Sequence, residues 1–252
     1  MSAPHAVVIG GSRGLGRVVA QTLVDRGDRV SVISRRPDQT VQGTLQHAFD
    51  LESLNSTSAD QLAAQVVETG GAVNYLIFCQ RYRPGTDANA SEAWQGEMQV
   101  SVTATDLLMQ VFEPRFCTQG DRAVAVVSSV YAERVGASQP VAYHVAKAGL
   151  NALVRHGAWR LGRLGVRVNA VMPLTYLKPE NREFYEGDAD KMAFYRRLAP
   201  LGRMGEAQDS ANVIAFLCSD KAGFVSGQSL YVDGGVSVVW PEETARSMME
   251  AE

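Results

Sequence analysis

The stretch that decides the fold is residues 5–16: His5-Ala6-Val7-Val8-Ile9-Gly10-Gly11-Ser12-Arg13-Gly14-Leu15-Gly16. A short β-branched run ends in a glycine turn. The turn runs into residues 17–26, where Val18, Val19, Leu23 and Val24 fall at helical spacing. Gly27 stops that helix, and Val30-Ser31-Val32-Ile33-Ser34 reads as a second strand. Strand, helix and strand within about 30 residues make one parallel βαβ crossover. The turn is spaced Gly-x-x-x-Gly-x-Gly, not the commoner Gly-x-Gly-x-x-Gly of dinucleotide sites. Its position carries the reading. Glycines let the backbone turn tightly and approach a pyrophosphate, and the helix that follows aims its free N–H groups and positive dipole end at that anion.

Outward from this unit the alternation continues. Residues 44–49, 73–79, 123–128, 166–171 and 229–232 read as strands, and 58–69, 91–116, 140–164 and 206–218 as helices. The strands are continuously apolar rather than alternating, so both sheet faces are covered, as in a doubly wound parallel α/β sheet. The least patterned stretch, 175–200, is polar but holds Tyr176, Phe184, Tyr185, Phe194 and Tyr195. An irregular substrate lid is the expectation there. Residues 238–252 read as an acidic tail, and the whole of 1–252 as one domain.

Composition narrows the function classes. The chain has 252 residues, 46% hydrophobic and 20% charged, with a net charge of −3. It is too apolar for a disordered chain and lacks the basic surplus of a nucleic-acid binder. No apolar run approaches the ~18 residues a membrane helix needs. The first residues show no charged region followed by a long apolar stretch, so no signal peptide is expected. Cys79, Cys117 and Cys218 are few, scattered and odd in number, which argues against a disulfide framework or a zinc site and makes a reducing cytoplasm the expectation.

Two further places suggest chemistry. The second strand ends Ser34-Arg35-Arg36, with no acid to bind a bare ribose 2′-hydroxyl, and Arg13 lies in the glycine turn. Guanidinium groups from both loops suit a 2′-phosphate, which favours NADP(H) over NAD(H). In the second place, Tyr143-His144-Val145-Ala146-Lys147 puts a phenol and an ammonium one helical turn apart on one face. A free phenol titrates at about 10, and a fixed positive charge favours its phenolate. Such a pair can give a proton to a carbonyl or take one from an alcohol. Ser128-Ser129 ends a predicted strand at the carboxyl edge where parallel sheets bind ligands, and a hydroxyl there can hold a substrate oxygen.

These motifs, in this order, resemble the short-chain dehydrogenase/reductase family over residues 5 to about 237. The likeness extends to Arg167-Val168-Asn169-Ala170-Val171-Met172-Pro173, to Pro200-Leu201-Gly202-Arg203, and to the run from Gly227 through Asp233-Gly234-Gly235. It implies a Rossmann-like, mostly parallel seven-stranded sheet with helices on both faces. Tyr143 would be the general acid/base. Lys147 would hold the nicotinamide ribose and stabilise the phenolate. Ser129, with Ser128 as a rival, would position the carbonyl. The cofactor would contact Gly10, Ser12, Arg13, Gly14, Leu15, Gly16, Ser34, Arg35, Arg36, Asp50, Leu51 and Pro173. The substrate would be a small carbonyl or alcohol, no metal would be required, and a homotetramer or dimer would form through helices 91–116 and 140–164.

Four places depart from the family's pattern, one of them a run of four residues. Ile9 replaces a threonine, Leu174 a glycine, Phe78-Cys79-Gln80-Arg81 an Asn-Asn-Ala-Gly, and Ser101 an asparagine. Arg81-Tyr82-Arg83 suggests a basic aromatic patch for an acidic substrate group, and a solvated loop is the other reading. A second function also stands: an NADP(H)-binding protein with little turnover, acting as a sensor or assembly subunit.

Overall fold

The structure, a computed structural model, describes residues 3–36 and 41–249. Strands β1 (His5–Ile9), β2 (Arg29–Ser34), β3 (Leu45–Ala48), β4 (Tyr75–Phe78), β5 (Ala123–Val127) and β6 (Arg167–Pro173) lie in one sheet. A last strand, Ser229–Val232, becomes β9 once the short β7 (Tyr176–Leu177) and β8 (Gly205–Glu206) are counted. The order is β3-β2-β1-β4-β5-β6-β9, and every pair is parallel.

Strand periodicity sends successive side chains to opposite faces. Val7 and Ile9 of β1 enter one core while Ala6 and Val8 enter the other, and β5 divides Val124 and Val126 from Ala123 and Ala125 in the same way. One face is covered by α1 (Gly14–Asp25) and α8 (Ala207–Leu217), through Val19, Leu23 and Ile214. The other is covered by α2 (Ser56–Gly70), α4 (Ala104–Phe112) and α5 (Val141–Gly162), through Val66, Phe112 and Val154. No helix among the described residues is long and apolar enough to cross a membrane.

Three segments differ from their sequence reading. The first helix begins at Gly14, a turn earlier than its apolar stripe, because the glycine turn delivers the chain straight into it. The long helix 91–116 is α3 (Ala90–Glu97), a π-helical turn Met98–Thr103, then α4 and a 3-10 turn Glu113–Arg115. Side chains draw backbone groups out of the regular ladder there: Gln80 Nε2 donates to the Val100 carbonyl (3.3 Å) and Thr105 Oγ1 to that of Ser101 (2.6 Å).

The stretch 175–200 is not irregular. It holds β7, a 3-10 turn Pro179–Asn181, α6 (Arg182–Glu186) and α7 (Ala189–Leu198). Asp188 caps α7 by accepting from the Asp190 and Lys191 amides, both at 3.1 Å. Tyr185 of α6 meets Tyr195 of α7 edge to face at 5.5 Å, and each also packs edge to face on its own neighbour, Phe184 at 5.0 Å and Phe194 at 5.3 Å. The tail carries one more helix, α9 (Pro241–Met249).

Candidate active site

Because all seven strands are parallel, their carboxyl ends share one edge. Chain order reverses between β1 and β4, which is where open α/β sheets leave a crevice. A cavity of about 770 Å³ opens there. It is lined by Gly10, Ser12, Arg13, Gly14, Leu15, Ser34, Arg35, Arg36, Asp50 and Leu51 at one end, and by Ser129, Tyr143, Lys147 and Pro173 at the other. Gly16 does not line it. A Cβ there would lie 2.2 Å from the Gly10 carbonyl oxygen, so its missing side chain lets the turn close on itself.

The glycine turn is built for close approach. Gly10 has φ 78°, and a Cβ on it would come within 2.7 Å of the Gln80 backbone. The Gly14 amide at the start of α1 donates to Glu180 Oε1 at 2.6 Å, so a carboxylate from the 175–200 segment already satisfies this positive helix end. Lys178 reaches the same turn. Arg35 pairs with Glu52 at 3.3 Å, both exposed, and the buried Ser34 hydroxyl has no partner among the described residues.

Charge around the cavity is lopsided. Arg13, Arg35 and Arg36 at one end are joined by Arg81, Arg83, Lys147 and Lys178, against only Asp50, Glu52 and Glu180. Four surplus positive charges in a chain of net −3 mark an anion-binding crevice. Burial, then repulsion from neighbours that include Arg13 and Arg81, holds both Arg83 and Lys178 below their ordinary values.

At the reacting end, Pro140 leads the chain into α5 and Tyr143 falls in its first turn. Lys147, one turn on, is 3% exposed. Its Nζ donates to the Val127 carbonyl at the end of β5 (2.8 Å) and sits 5.5 Å from the Tyr143 ring centroid. Ser129 caps a short turn, Val130–Ala132, by accepting from the Tyr131 amide at 3.2 Å. Ser128 instead turns inward and donates to the Lys147 carbonyl at 3.1 Å, which ties β5 to α5.

Other candidates are disarmed by their surroundings. Burial raises Tyr176 and pushes Tyr185 up to about 12, which disfavours the phenolate that a general base would need. The Cys79 thiol is likewise pushed up to about 12. His144 is a brace: Nδ1–H donates to the Pro140 carbonyl (3.0 Å) and Nε2 accepts from the Gly136 amide (3.2 Å).

Among the departures, Gln80 turns into the helical layer, where it donates to Thr105 Oγ1 at 2.8 Å. The hydroxyl of buried Ser101 donates to the buried Glu97 carboxylate at 2.6 Å. Arg81 turns into the cavity. Its guanidinium carbon is 5.1 Å from the Tyr143 ring centroid, and Nη2 donates to Gln139 Oε1 at 2.8 Å. Sequence reading missed Gln139, Lys178 and Glu180. The one local signal was a charged pair flanking Pro179 in an otherwise unpatterned stretch.

The family model of enoyl-(acyl carrier protein) reductases matches residues 9–237. The chain belongs to the short-chain dehydrogenase/reductase family. It is 31% identical to an L-rhamnose 1-dehydrogenase (NAD(P)(+)) of Azotobacter vinelandii, across 92% of this chain and 96% of that one. A Sphingomonas enzyme of the same name is 28% identical over 92% and 95% of the two chains. Among solved structures, ligand-free aldohexose dehydrogenase from Thermoplasma acidophilum superposes with a TM-score of 0.82 at 26% identity, covering 95% of this chain and 96% of that one. This short-chain dehydrogenase/reductase is therefore an oxidoreductase with the family's Rossmann-like seven-stranded sheet.

Proposed function

We propose that this oxidoreductase uses NADP(H) to interconvert a carbonyl and a secondary alcohol, with Tyr143 as general acid/base. The observation that carries the reading is that the Tyr143–Lys147 pair and the glycine turn open on one cavity, with Lys147 pinned 5.5 Å from the phenol ring. The residues fit the cofactor. Gly10 and Gly16 leave the turn free of side chains that would strike backbone, the α1 N-terminus already accepts an oxyanion, and the unpartnered Ser34 hydroxyl lies among Arg13, Arg35 and Arg36. When bound, the cofactor supplies or accepts the hydride. The phenol of Tyr143 gives a proton to the carbonyl oxygen or takes it from the alcohol. The ammonium of Lys147, held on the Val127 carbonyl, has N–H groups left to hold a ribose hydroxyl. Ser129 fixes the reacting oxygen beside the phenol. Asp50 and Leu51 would flank the adenine, and Pro173 the nicotinamide.

The test is NADPH oxidation with a carbonyl panel, and NADP⁺ reduction with L-rhamnose and aldohexoses, comparing wild type with Tyr143→Phe. Removing the acid/base is expected to lower kcat about 10²–10⁴-fold. A variant within a few-fold of wild type would sink the mechanism. A second reading, an NADP(H)-binding protein with little turnover, is favoured by one observation: Arg81 and the Ser101–Glu97 pair stand where the family has small residues and an asparagine. Tight NADPH binding without turnover of any panel compound would select it. α5 leaves Val145 and Trp159 44% and 68% exposed, which supports a homodimer or homotetramer, to be measured by light scattering.

A further inference from the structure

Arg81, like Arg13 and Arg83 on the same cavity, stands outside the ion pairs that hold Arg167 and Arg203, and it is the one of the three set over the Tyr143 ring. Arg167 meets Asp121 at 2.8 Å, and Arg203 makes two 2.8 Å bonds to Asp209. Arg81 forms no ion pair among the described residues; its hydrogen-bond partner is the neutral amide oxygen of Gln139. One of its five N–H groups is thereby used. The guanidinium is exposed along the cavity wall, unpaired with any carboxylate among the described residues and set over the face of the phenol proposed to do the chemistry.

The anchor is itself held. Ser138, the neighbour of Gln139, bonds the Tyr131 hydroxyl at 2.8 Å, and the carbonyl of Pro140 accepts from His144. The Gly10 contact with the Gln80 backbone fixes the chain leading into Arg81. A long, flexible side chain is thus constrained at both ends of its reach, with free donors facing the cavity. Lys178 reaches the glycine turn near the helix end, on the side expected to meet the cofactor diphosphate. Arg81 lies instead at the phenol.

We propose that Arg81 is a specificity-determining residue that receives an oxyanion, a carboxylate or phosphate, carried by the substrate close to its reacting carbonyl. This rests on the redox reading above and names its substrate class. A neutral sugar would leave the guanidinium's charge unmatched, whereas a planar carboxylate or a phosphate face can accept two parallel N–H bonds from the fork.

The experiment first titrates wild-type protein with NADPH by calorimetry. Absence of binding there defeats the cofactor reading itself. With cofactor bound, matched pairs are compared: acetoacetate with methyl acetoacetate, and glucose 6-phosphate with glucose. Each is assayed for turnover and for calorimetric binding to NADP⁺-loaded protein. Wild type is expected to favour one anionic member over its neutral partner by about tenfold or more, through KM or Kd rather than kcat. Arg81→Gln should erase that preference, and Arg81→Lys should restore part of it. Equal handling of acid and neutral partner by wild type, or no binding of either anion, overturns the proposal. So does a preference that survives in Arg81→Gln. A tenfold weaker NADPH in that variant would assign the guanidinium to the cofactor diphosphate and overturn it as well.

Discussion

The two ends of the cavity follow different rules. At the glycine-turn end the constraints are backbone constraints: a Cβ on Gly16 would meet the Gly10 carbonyl at 2.2 Å, and one on Gly10 would meet the Gln80 backbone at 2.7 Å. At the phenol end the constraints are side-chain constraints, set by Lys147 on the Val127 carbonyl and Arg81 on Gln139. Backbone clashes admit almost no substitution, whereas side-chain contacts can be exchanged for others of similar reach. The departures from the family pattern fall at both ends: Ile9 leads into the glycine turn and Cys79 and Gln80 pack against it, Arg81 and Leu174 line the cavity, and Ser101 lies in the helical layer on Glu97.

The largest effect that could break this contrast is at Gly16. Gly16→Val forces a side chain against a backbone carbonyl that has no rotamer to yield, and the expected loss is about 3 kcal/mol of stability together with NADPH binding. Denaturant midpoints and calorimetry measure both. A stable variant that still binds NADPH would show that the turn is not rigid, and the contrast would fall.

Next in size is the pair that follows β2. Arg35→Ala combined with Arg36→Ala should reduce the preference for NADPH over NADH, as a ratio of Kd values, by about 10–100-fold, the loss of one or two charge-assisted hydrogen bonds. An unchanged ratio would move 2′-phosphate recognition elsewhere.

What could be read from sequence divides along the same physical line. Both-face burial was legible because continuously apolar strands are a local signal, and the Tyr143–Lys147 pair because it depends on the 3.6-residue helical period; the strand order was not read at all. Gly10 and Gly14 were legible because the glycine turn sits between a clear strand and a clear helix. The π-turn at Met98–Thr103 was not, because its apolar spacing reads as ordinary helix and the distortion comes from Gln80, twenty residues earlier. Helices α6 and α7 escaped notice because their residues are polar and their order comes from edge-on aromatic pairs and the Asp188 cap. The Glu180–Gly14 bond joins residues 166 positions apart, and no local pattern announces it.

That bond gives a smaller test. Glu180 holds the amide that a cofactor phosphate would need, so Glu180→Gln should tighten NADPH. Charge at a helix end is worth about 0.3–1 kcal/mol, or roughly two- to fivefold in Kd, with the gain shrinking as salt rises. Weaker binding in the variant would make Glu180 part of the cofactor's support instead of its competitor.

The smallest expected effect lies at the opposite edge of the sheet and serves as a control. His5, buried at the start of β1, bonds Ser31 Oγ at 2.8 Å and the Gly71 carbonyl at 2.9 Å. Burial holds its imidazole below the ordinary value of 6.5, and His47 is lowered for the same reason. The unfolded chain therefore takes up protons at a higher pH than the native one. The stabilisation from neutral histidine is full above about 6.5 and is lost as pH falls toward the depressed native values. Tm should drop between pH 7.5 and 5, and His5→Asn should flatten part of that slope, the remainder belonging to His47. Since His5 is far along β1 from the glycine turn, the variant's Kd for NADPH at pH 7.5 should stay near wild type. A large change there would mean that β1 transmits strain to the turn along its length, and the backbone rigidity claimed for that end of the cavity would have to be extended to the whole strand.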